Sequence, residues 1–380
     1  MKSILVIITS LLFLNTSFSQ QTINGSITHG GLTRTYILYV PASYSAGTPA
    51  PLVFNFHGYT SNASQQMMYG DFRPIADTAG FLLVHPMGTL DGSGQPYWNS
   101  GWGGSVDDIG FTSALIDSLS LNYSINQDRV FSTGMSNGGF MSYTLACELS
   151  TRIAAIASVT GSFNVNQITT CNPSHPMPVL EIHGTADATV AYTGSGSFLS
   201  TPSTLSYWAT YNSNDVPAIM TPVPNINLTD GCTAEHYLYP NGLNGVDVEH
   251  YKIIGGGHTW PGAPFTVGVT NRDIDASIKI WEFFMQYDIN GKIGYAALND
   301  LTPDNKLTLY PNPALNSISI KGIENSENIT AIQITTISGK NVKFFESYNE
   351  FVDISDLVDG IYFFTFLNGN ESQTIRFVKR

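Results

Sequence analysis

Val130-Phe131-Ser132-Thr133-Gly134-Met135-Ser136-Asn137-Gly138-Gly139-Phe140 is the stretch that decides the fold. An apolar run is followed by Gly-x-Ser-x-Gly and then by an unbroken helical segment to Leu149. That reads as strand, sharp turn, helix. Glycines on either side of Ser136 let the chain reverse and leave the serine hydroxyl exposed at the end of a strand. Ser136 is therefore a candidate nucleophile, and a serine hydroxyl needs a base to take its proton.

Working outward, the same alternation fills the first three-quarters of the chain. Tyr36 to Val40, Leu52 to Phe56, Phe81 to Val84, Val130 to Ser132, Ile156 to Val159, Val179 to Ile182 and Val248 to Ile254 read as strands. Several are continuous apolar runs, as expected of strands covered on both faces. Ile109 to Leu121 reads as a helix behind the capping pair Asp107-Asp108. Asn137 to Leu149 is a second, and Ile274 to Tyr287 a third, with Asp273 expected as its cap. Strands alternating with helices predict an α/β fold with a mostly parallel, doubly wound sheet.

The pattern changes near residue 290. Residues 291–304 read as a Gly/Asn/Pro linker, and 305–380 as a small all-β sandwich. Its signals are the alternation at Ser317 to Ile320 and Ala331 to Thr335, the β-rich runs Ile361 to Leu367 and Ile375 to Val378, and turns at Ser338-Gly339-Lys340 and Asn368-Gly369-Asn370. At the other end, Lys2, the apolar run Ile4 to Leu14 and Ser17-Phe18-Ser19 read as a signal peptide over 1–19. The run is too short to span a bilayer, which takes roughly 20 residues, and no other segment is apolar enough.

Charged residues make up only 12% of the chain, and its net charge is −13. With no basic stripe, a nucleic-acid partner is excluded, and a neutral or weakly charged substrate is favoured. The scattered histidines show no metal-ligand spacing, so no metal is expected. Of Cys147, Cys171 and Cys232, one must stay unpaired within the chain. A Cys147–Cys171 disulfide is expected, because Cys147 lies in the helix after Ser136 and Cys171 in the loop before the next strand. A monomer is expected.

His258 is the best base. It stands in Gly255-Gly256-Gly257-His258-Thr259-Trp260-Pro261-Gly262, just after the last strand. The acid should fall between Ser136 and His258 in sequence. Asp187, in His183-Gly184-Thr185-Ala186-Asp187, follows a strand end most cleanly; Asp215, Asp230 and Asp247 are rivals in range. The oxyanion hole needs two donors. The amide of Asn137 is one, and the loop Phe56-His57-Gly58-Tyr59-Thr60 offers the other, at the amide of Tyr59. His57, His85 and His183 read as packed strand-end histidines. Trp98, Trp102 and Trp260 are candidates to line a substrate site, with Trp260 expected to face the substrate rather than pack beneath its loop.

Taken together, Val106-Asp107-Asp108-Ile109-Gly110-Phe111, Gly134-Met135-Ser136-Asn137-Gly138-Gly139, Leu145-Ala146-Cys147-Glu148, His183-Gly184-Thr185-Ala186-Asp187 and Gly256-Gly257-His258-Thr259-Trp260-Pro261-Gly262 resemble the secreted feruloyl esterase and polyhydroxybutyrate depolymerase family. The resemblance covers residues 25 to 290. It implies an α/β-hydrolase that works without a cofactor on esters of plant cell-wall phenolics, acetylated xylan or polyesters, with its triad on Ser136, Asp187 and His258. One departure is Tyr59, where many members carry cysteine. Leu309-Tyr310-Pro311-Asn312-Pro313-Ala314, Asp353-Ile354-Ser355-Asp356-Leu357, Gly360-Ile361-Tyr362 and Phe377-Val378-Lys379-Arg380 resemble a type IX secretion sorting domain of Bacteroidetes. That implies export through the outer membrane by the type IX machinery and release or surface attachment.

The first expectation is thus a secreted serine esterase for feruloylated or acetylated cell-wall polysaccharide, spanning residues 22–290. A polyhydroxybutyrate depolymerase or short-chain polyester hydrolase is the alternative. A peptidase of the same fold is disfavoured because no room remains for a gating domain. A non-catalytic surface-binding protein is disfavoured because it has no use for the turn at Ser136.

Overall fold

The computed structural model describes residues 20–295, 308–321, 331–336, 340–347, 351–368 and 371–380. The expected signal peptide, most of the expected linker and the turn residues Ser338, Gly339, Gly369 and Asn370 lie outside the described residues. The chain divides into two compact units, residues 1–295 and 296–380.

The first unit is built on ten strands. These are β1 (Gln21–His29), β2 (Leu32–Val40), β3 (Ala50–Phe56), β4 (Leu82–Pro86), β7 (Ile125–Met135), β8 (Ala155–Val159), β9 (Val179–Gly184), β10 (Ile219–Pro222), β11 (Thr233–Tyr239) and β12 (Val248–Ile254). A two-residue ladder of β5 (Thr89–Leu90) and β6 (Pro96–Tyr97) stands apart. The order across the sheet is β1-β2-β4-β3-β7-β8-β9-β12-β11-β10. The six strands from β4 to β12 run parallel; the pairs at both edges are antiparallel.

The apolar runs make the parallel block because both its faces are covered. Alternate residues of one strand serve opposite cores. Leu52 and Phe54 pack with Phe111 and Leu115 of α3 (Asp108–Ser120), Met141 and Tyr143 of α4 (Asn137–Glu148) and Trp208 of α5 (Thr201–Asn212). Val53, with Phe131, packs on the other face with Phe72, Ala76 of α2 (Arg73–Ala79), and Ile280 and Phe283 of α6 (Ala276–Phe284). A short helix, α1 (Ala63–Tyr69), follows β3.

Two caps show how the helices start. Asp107 caps α3 by accepting from the Gly110 N–H. Asp275, not the expected Asp273, caps α6 by accepting from Ile278 N–H. The Asp273 carboxylate instead accepts from the N–H groups of Ile226 and Asn227, fixing a distant loop.

The order reverses between β3 and β7: the chain moves outward from β3 to β4 and, in the other direction, from β7 to β8. In an open parallel sheet, ligands bind at the carboxyl ends of the strands on either side of such a switch. In register, Phe56 at the end of β3 pairs with Gly134 of β7. The residues that follow, His57-Gly58 and Ser136, therefore emerge side by side.

The second unit is a β-sandwich. A three-stranded sheet (Thr308–Tyr310, Ser317–Lys321, Phe351–Asp353) and a four-stranded sheet (Asn341–Phe345, Ala331–Thr336, Gly360–Asn368, Glu371–Lys379) share one core of Ile318, Ile332, Ile334, Val352, Phe364 and Phe377.

Candidate active site

Ser136 sits between β7 and α4 with φ 55° and ψ −119°. A positive φ in a serine is strained and persists only where the surroundings enforce it. They do so here through backbone approach. A side chain at Gly138 would stand 2.2 Å from the Phe56 carbonyl oxygen, and one at Gly134 2.6 Å from it. Only glycine fits at either place, so the end of β3 holds the turn in position.

Gly58 lies against this turn, with the position of a Cβ there 3.5 Å from Ser136 Cβ. Its loop is rigid. His57 is buried; its Nδ1 donates to the Gly58 carbonyl at 2.8 Å and its Nε2 accepts from the Gly88 N–H at 2.9 Å. Both bonds suit a neutral ring, and burial pushes its pKa down to about 4. Asn137 ties a second loop to the same place. Its carboxamide accepts from Trp98 N–H at 2.7 Å and donates to the Trp98 carbonyl and Ser100 Oγ. As the first residue of α4, Asn137 has a backbone N–H without a partner inside the helix.

His258 and Asp187 are brought together by the β9–β12 pairing. Thr185 N–H donates to the Ile253 carbonyl and Ala186 N–H to that of Gly256. His258 Nδ1 then donates to Asp187 Oδ2 at 2.7 Å, which leaves Nε2 as the basic nitrogen. Asp187 Oδ1 accepts from the N–H groups of Thr189 and Val190. Burial alone would raise the Asp187 pKa, but the bonds from His183 and His258 hold it well below the usual carboxylate range.

The three rival carboxylates point elsewhere. Asp215 accepts from Asn241, Asp230 from the N–H groups of Cys232 and Arg272, and Asp247 from Lys292 and Tyr287. Cys147 and Cys171 are disulfide-bonded, and Cys232 is free and buried. Among the described residues, no group of three or more His, Cys, Asp or Glu is arranged to hold a metal ion. No described helix is long and apolar enough to cross a membrane.

The aromatic expectations need correction. Trp260 is only 1% exposed. Its ring lies across Gly70, meets Phe72 edge-on and donates through Nε1 to Ser277 Oγ, while its N–H donates to the Tyr69 hydroxyl. It braces the histidine loop and offers no face to a substrate. Gly70 makes the room, which nothing in the sequence near Trp260 announces. Trp98 is 0% exposed. It meets Phe56 edge-on at 5.0 Å and donates to the His57 carbonyl, so it clamps the loop after β3. Trp102, 43% exposed, keeps an open surface, and so does Tyr59 at 48%, whose hydroxyl donates to Asp91.

Sequence reasoning also missed a buried pair, Glu181 and His183, behind Asp187. The signal was a glutamate and a histidine on alternate positions of an otherwise apolar strand.

Residues 107–216 match the phospholipase/carboxylesterase family, and residues 308–380 match the secretion system C-terminal sorting domain. A bifunctional acetylxylan esterase/xylanase of Neocallimastix patriciarum is 26% identical over 290 residues, which are 76% of this chain and 39% of that protein. Feruloyl esterase B of Piromyces equi is 29% identical over 239 residues, 59% of this chain and 42% of that protein. The chain thus spans about two-fifths of the length of these relatives. An acetyl xylan esterase structure from Aspergillus awamori superposes with a TM-score of 0.52 at 15% identity, covering 70% of this chain and 99% of that one. The first unit has the α/β-hydrolase fold and is similar in sequence to feruloyl and acetylxylan esterases. The second matches a secretion-system sorting domain.

Proposed function

We propose that the first unit is a secreted serine esterase that removes feruloyl or acetyl groups from plant cell-wall polysaccharide, with Ser136 as nucleophile, His258 as general base and Asp187 as the acid that orients it. The observation that carries this reading is the strained Ser136 at the switch point of the sheet, together with the 2.7 Å bond from His258 Nδ1 to Asp187.

Ser136 Oγ attacks the ester carbonyl carbon while His258 Nε2 takes the hydroxyl proton. The carbonyl π electrons move to oxygen, and the oxyanion is met by the N–H groups of Tyr59 and Asn137. Collapse breaks the bond to the alkoxy oxygen, which leaves with the proton from His258 and gives an acyl-Ser136 ester. Water, deprotonated by His258, then releases the acid. The negative Asp187 stabilises the imidazolium in both halves. Trp102 is the aromatic surface available to stack on a phenolic acyl group or a sugar. The sorting domain would hand the protein to the type IX machinery for release or surface display.

The test is a panel of p-nitrophenyl acetate, methyl ferulate, acetylated xylan and polyhydroxybutyrate with the purified protein. Hydrolysis of the first two or three, lost in Ser136→Ala, is the expected result. Hydrolysis of polyhydroxybutyrate alone would assign the polyester alternative, and activity retained in Ser136→Ala would end the reading.

A further inference from the structure

The acid arm of the site continues behind Asp187. Asp187 Oδ2 receives His258 Nδ1 at 2.7 Å on one side and stands 3.4 Å from His183 Nε2 on the other. His183 Nε2 also donates to the Val190 carbonyl at 2.8 Å, and its Nδ1 stands 3.0 Å from Glu181 Oε1. Tyr143 donates to Glu181 Oε2 at 2.8 Å. His183, Glu181, Asp187 and Tyr143 are all buried.

Every partner of the His183 nitrogens is an oxygen: the Val190 carbonyl and, as an ion pair, Asp187 at Nε2, and Glu181 at Nδ1. Burial pushes the Glu181 pKa up while His183 and Tyr143 push it down; an ionised Glu181 only accepts, and both His183 nitrogens then donate as a cation. The groups around it are consistent with that. On β12, His250 donates through Nδ1 to the Glu181 carbonyl and accepts from the Tyr192 hydroxyl through Nε2, so it is neutral. The rings of Tyr192 and His183 meet at 79° with centroids 5.8 Å apart. Lys252, opposite His183 in register, is turned to Glu235. Glu181 and Asp187 are thus the only anions in contact with His183 among the described residues.

We infer that His183 is a permanently charged positioning residue: it fixes the Asp187 carboxylate from behind, with Glu181 as its counter-ion, so that the acid arm is the chain Glu181–His183–Asp187–His258. Burial opposes the charge, but the bonds to Asp187 and Glu181 outweigh it and raise the His183 pKa to about 10. Two consequences follow. Asp187 accepts from three donors and faces His183 as an ion pair, which holds its carboxylate toward His258. The cation behind it also offsets part of the negative charge that Asp187 presents to His258.

Its kinetic consequences rest on the esterase reading above; its charge state does not. In His183→Gln, Glu181 and Asp187 lose the cation between them, and kcat should fall roughly 10–100-fold, the range typical of losing a group that orients a functional side chain. KM should stay unchanged, because His183 does not reach the substrate. The acid limb of the kcat/KM profile should move to higher pH, since one positive charge behind the acid is gone. A bond to Val190 alone would lower kcat without moving that limb, and that result overturns the inference.

The direct test uses the intact protein with 15N-labelled histidine. His183 should show both ring nitrogens protonated from pH 6 to pH 8, whether or not the chain cleaves esters. Its resonance is assigned by loss in His183→Gln or, if that variant does not fold, by its displacement in Glu181→Gln. A neutral His183 at pH 7 contradicts the proposal. Inactivity of the wild-type enzyme on every ester would sink the esterase reading while leaving this result standing.

Discussion

The two halves of the candidate site are held by different forces. The serine half is fixed by backbone. Gly134 and Gly138 lie so close to the Phe56 carbonyl that no side chain fits, and Ser136 is driven to a positive φ. The acid half is fixed by buried charge and hydrogen bonds: Glu181, His183, Asp187 and His258 in line. A backbone-held half should be sensitive to volume and indifferent to pH. A charge-held half should be sensitive to charge at constant shape.

The largest effects come from removing a reacting group outright. Ser136→Ala or His258→Ala should lower turnover by about 10⁶, with the double variant no worse than either, because the residues act as a unit. Next is the neutral isostere of the acid. Asp187→Asn should cost about 10⁴ in kcat with the fold unchanged, because an amide no longer holds the imidazole in the required tautomer. Melting temperature and initial rates, measured together, check both. Near-normal turnover in Asp187→Asn would remove Asp187 from the site.

Volume is the corresponding test of the serine half. Gly138→Ala adds a single methyl group, yet its Cβ would stand 2.2 Å from a backbone oxygen. The variant should lose about 1–3 kcal/mol of stability through forced displacement of β3 or α4, and most of its activity with it. Denaturant unfolding would read the loss.

Stability against pH sharpens the contrast further. Burial holds His57 near 4 and His85 and His250 near 3, all below the ordinary value of 6.5. The unfolded chain therefore binds more protons, and stability falls as pH drops from about 6.5 towards 4 and below. His183 acts in the opposite sense. Its folded value of about 10 lies above 6.5, so its contribution is complete below about 6.5 and is lost as pH rises towards 10. Unfolding free energy should peak near neutrality, and His183→Gln should flatten the alkaline side most.

The smallest effects separate the tryptophans. Trp260→Ala empties a buried site and should cost about 3–5 kcal/mol, with equal losses on small and large esters. Trp102→Ala should leave p-nitrophenyl acetate hydrolysis intact and weaken feruloylated substrates by no more than about tenfold.

These differences track what could be read in the sequence. The parallel block was legible because strands buried on both faces are continuous apolar runs; Val248 to Ile254 coincides with β12. The edge strands were not. β1 alternates exposed and half-buried residues, and β10 is exposed throughout, so neither carries an apolar signature. The turn at Ser136 was legible because its glycines are a local demand of the backbone. The roles of Trp98 and Trp260 were not, since their burial depends on Phe56, Gly70 and Phe72, residues distant in sequence. His183 looked like an ordinary packed histidine; its charge comes from partners on both sides of it in space.

The central claim is that Ser136 is the nucleophile of an esterase. The most direct measurement is covalent labelling with diethyl p-nitrophenyl phosphate, read by peptide mass mapping alongside residual activity on p-nitrophenyl acetate. The account predicts one phosphoryl group on the peptide containing Ser136, activity lost in proportion to labelling, and no label in Ser136→Ala. Full labelling of Ser136 with undiminished hydrolysis, or hydrolysis by the alanine variant at the wild-type rate, would contradict it.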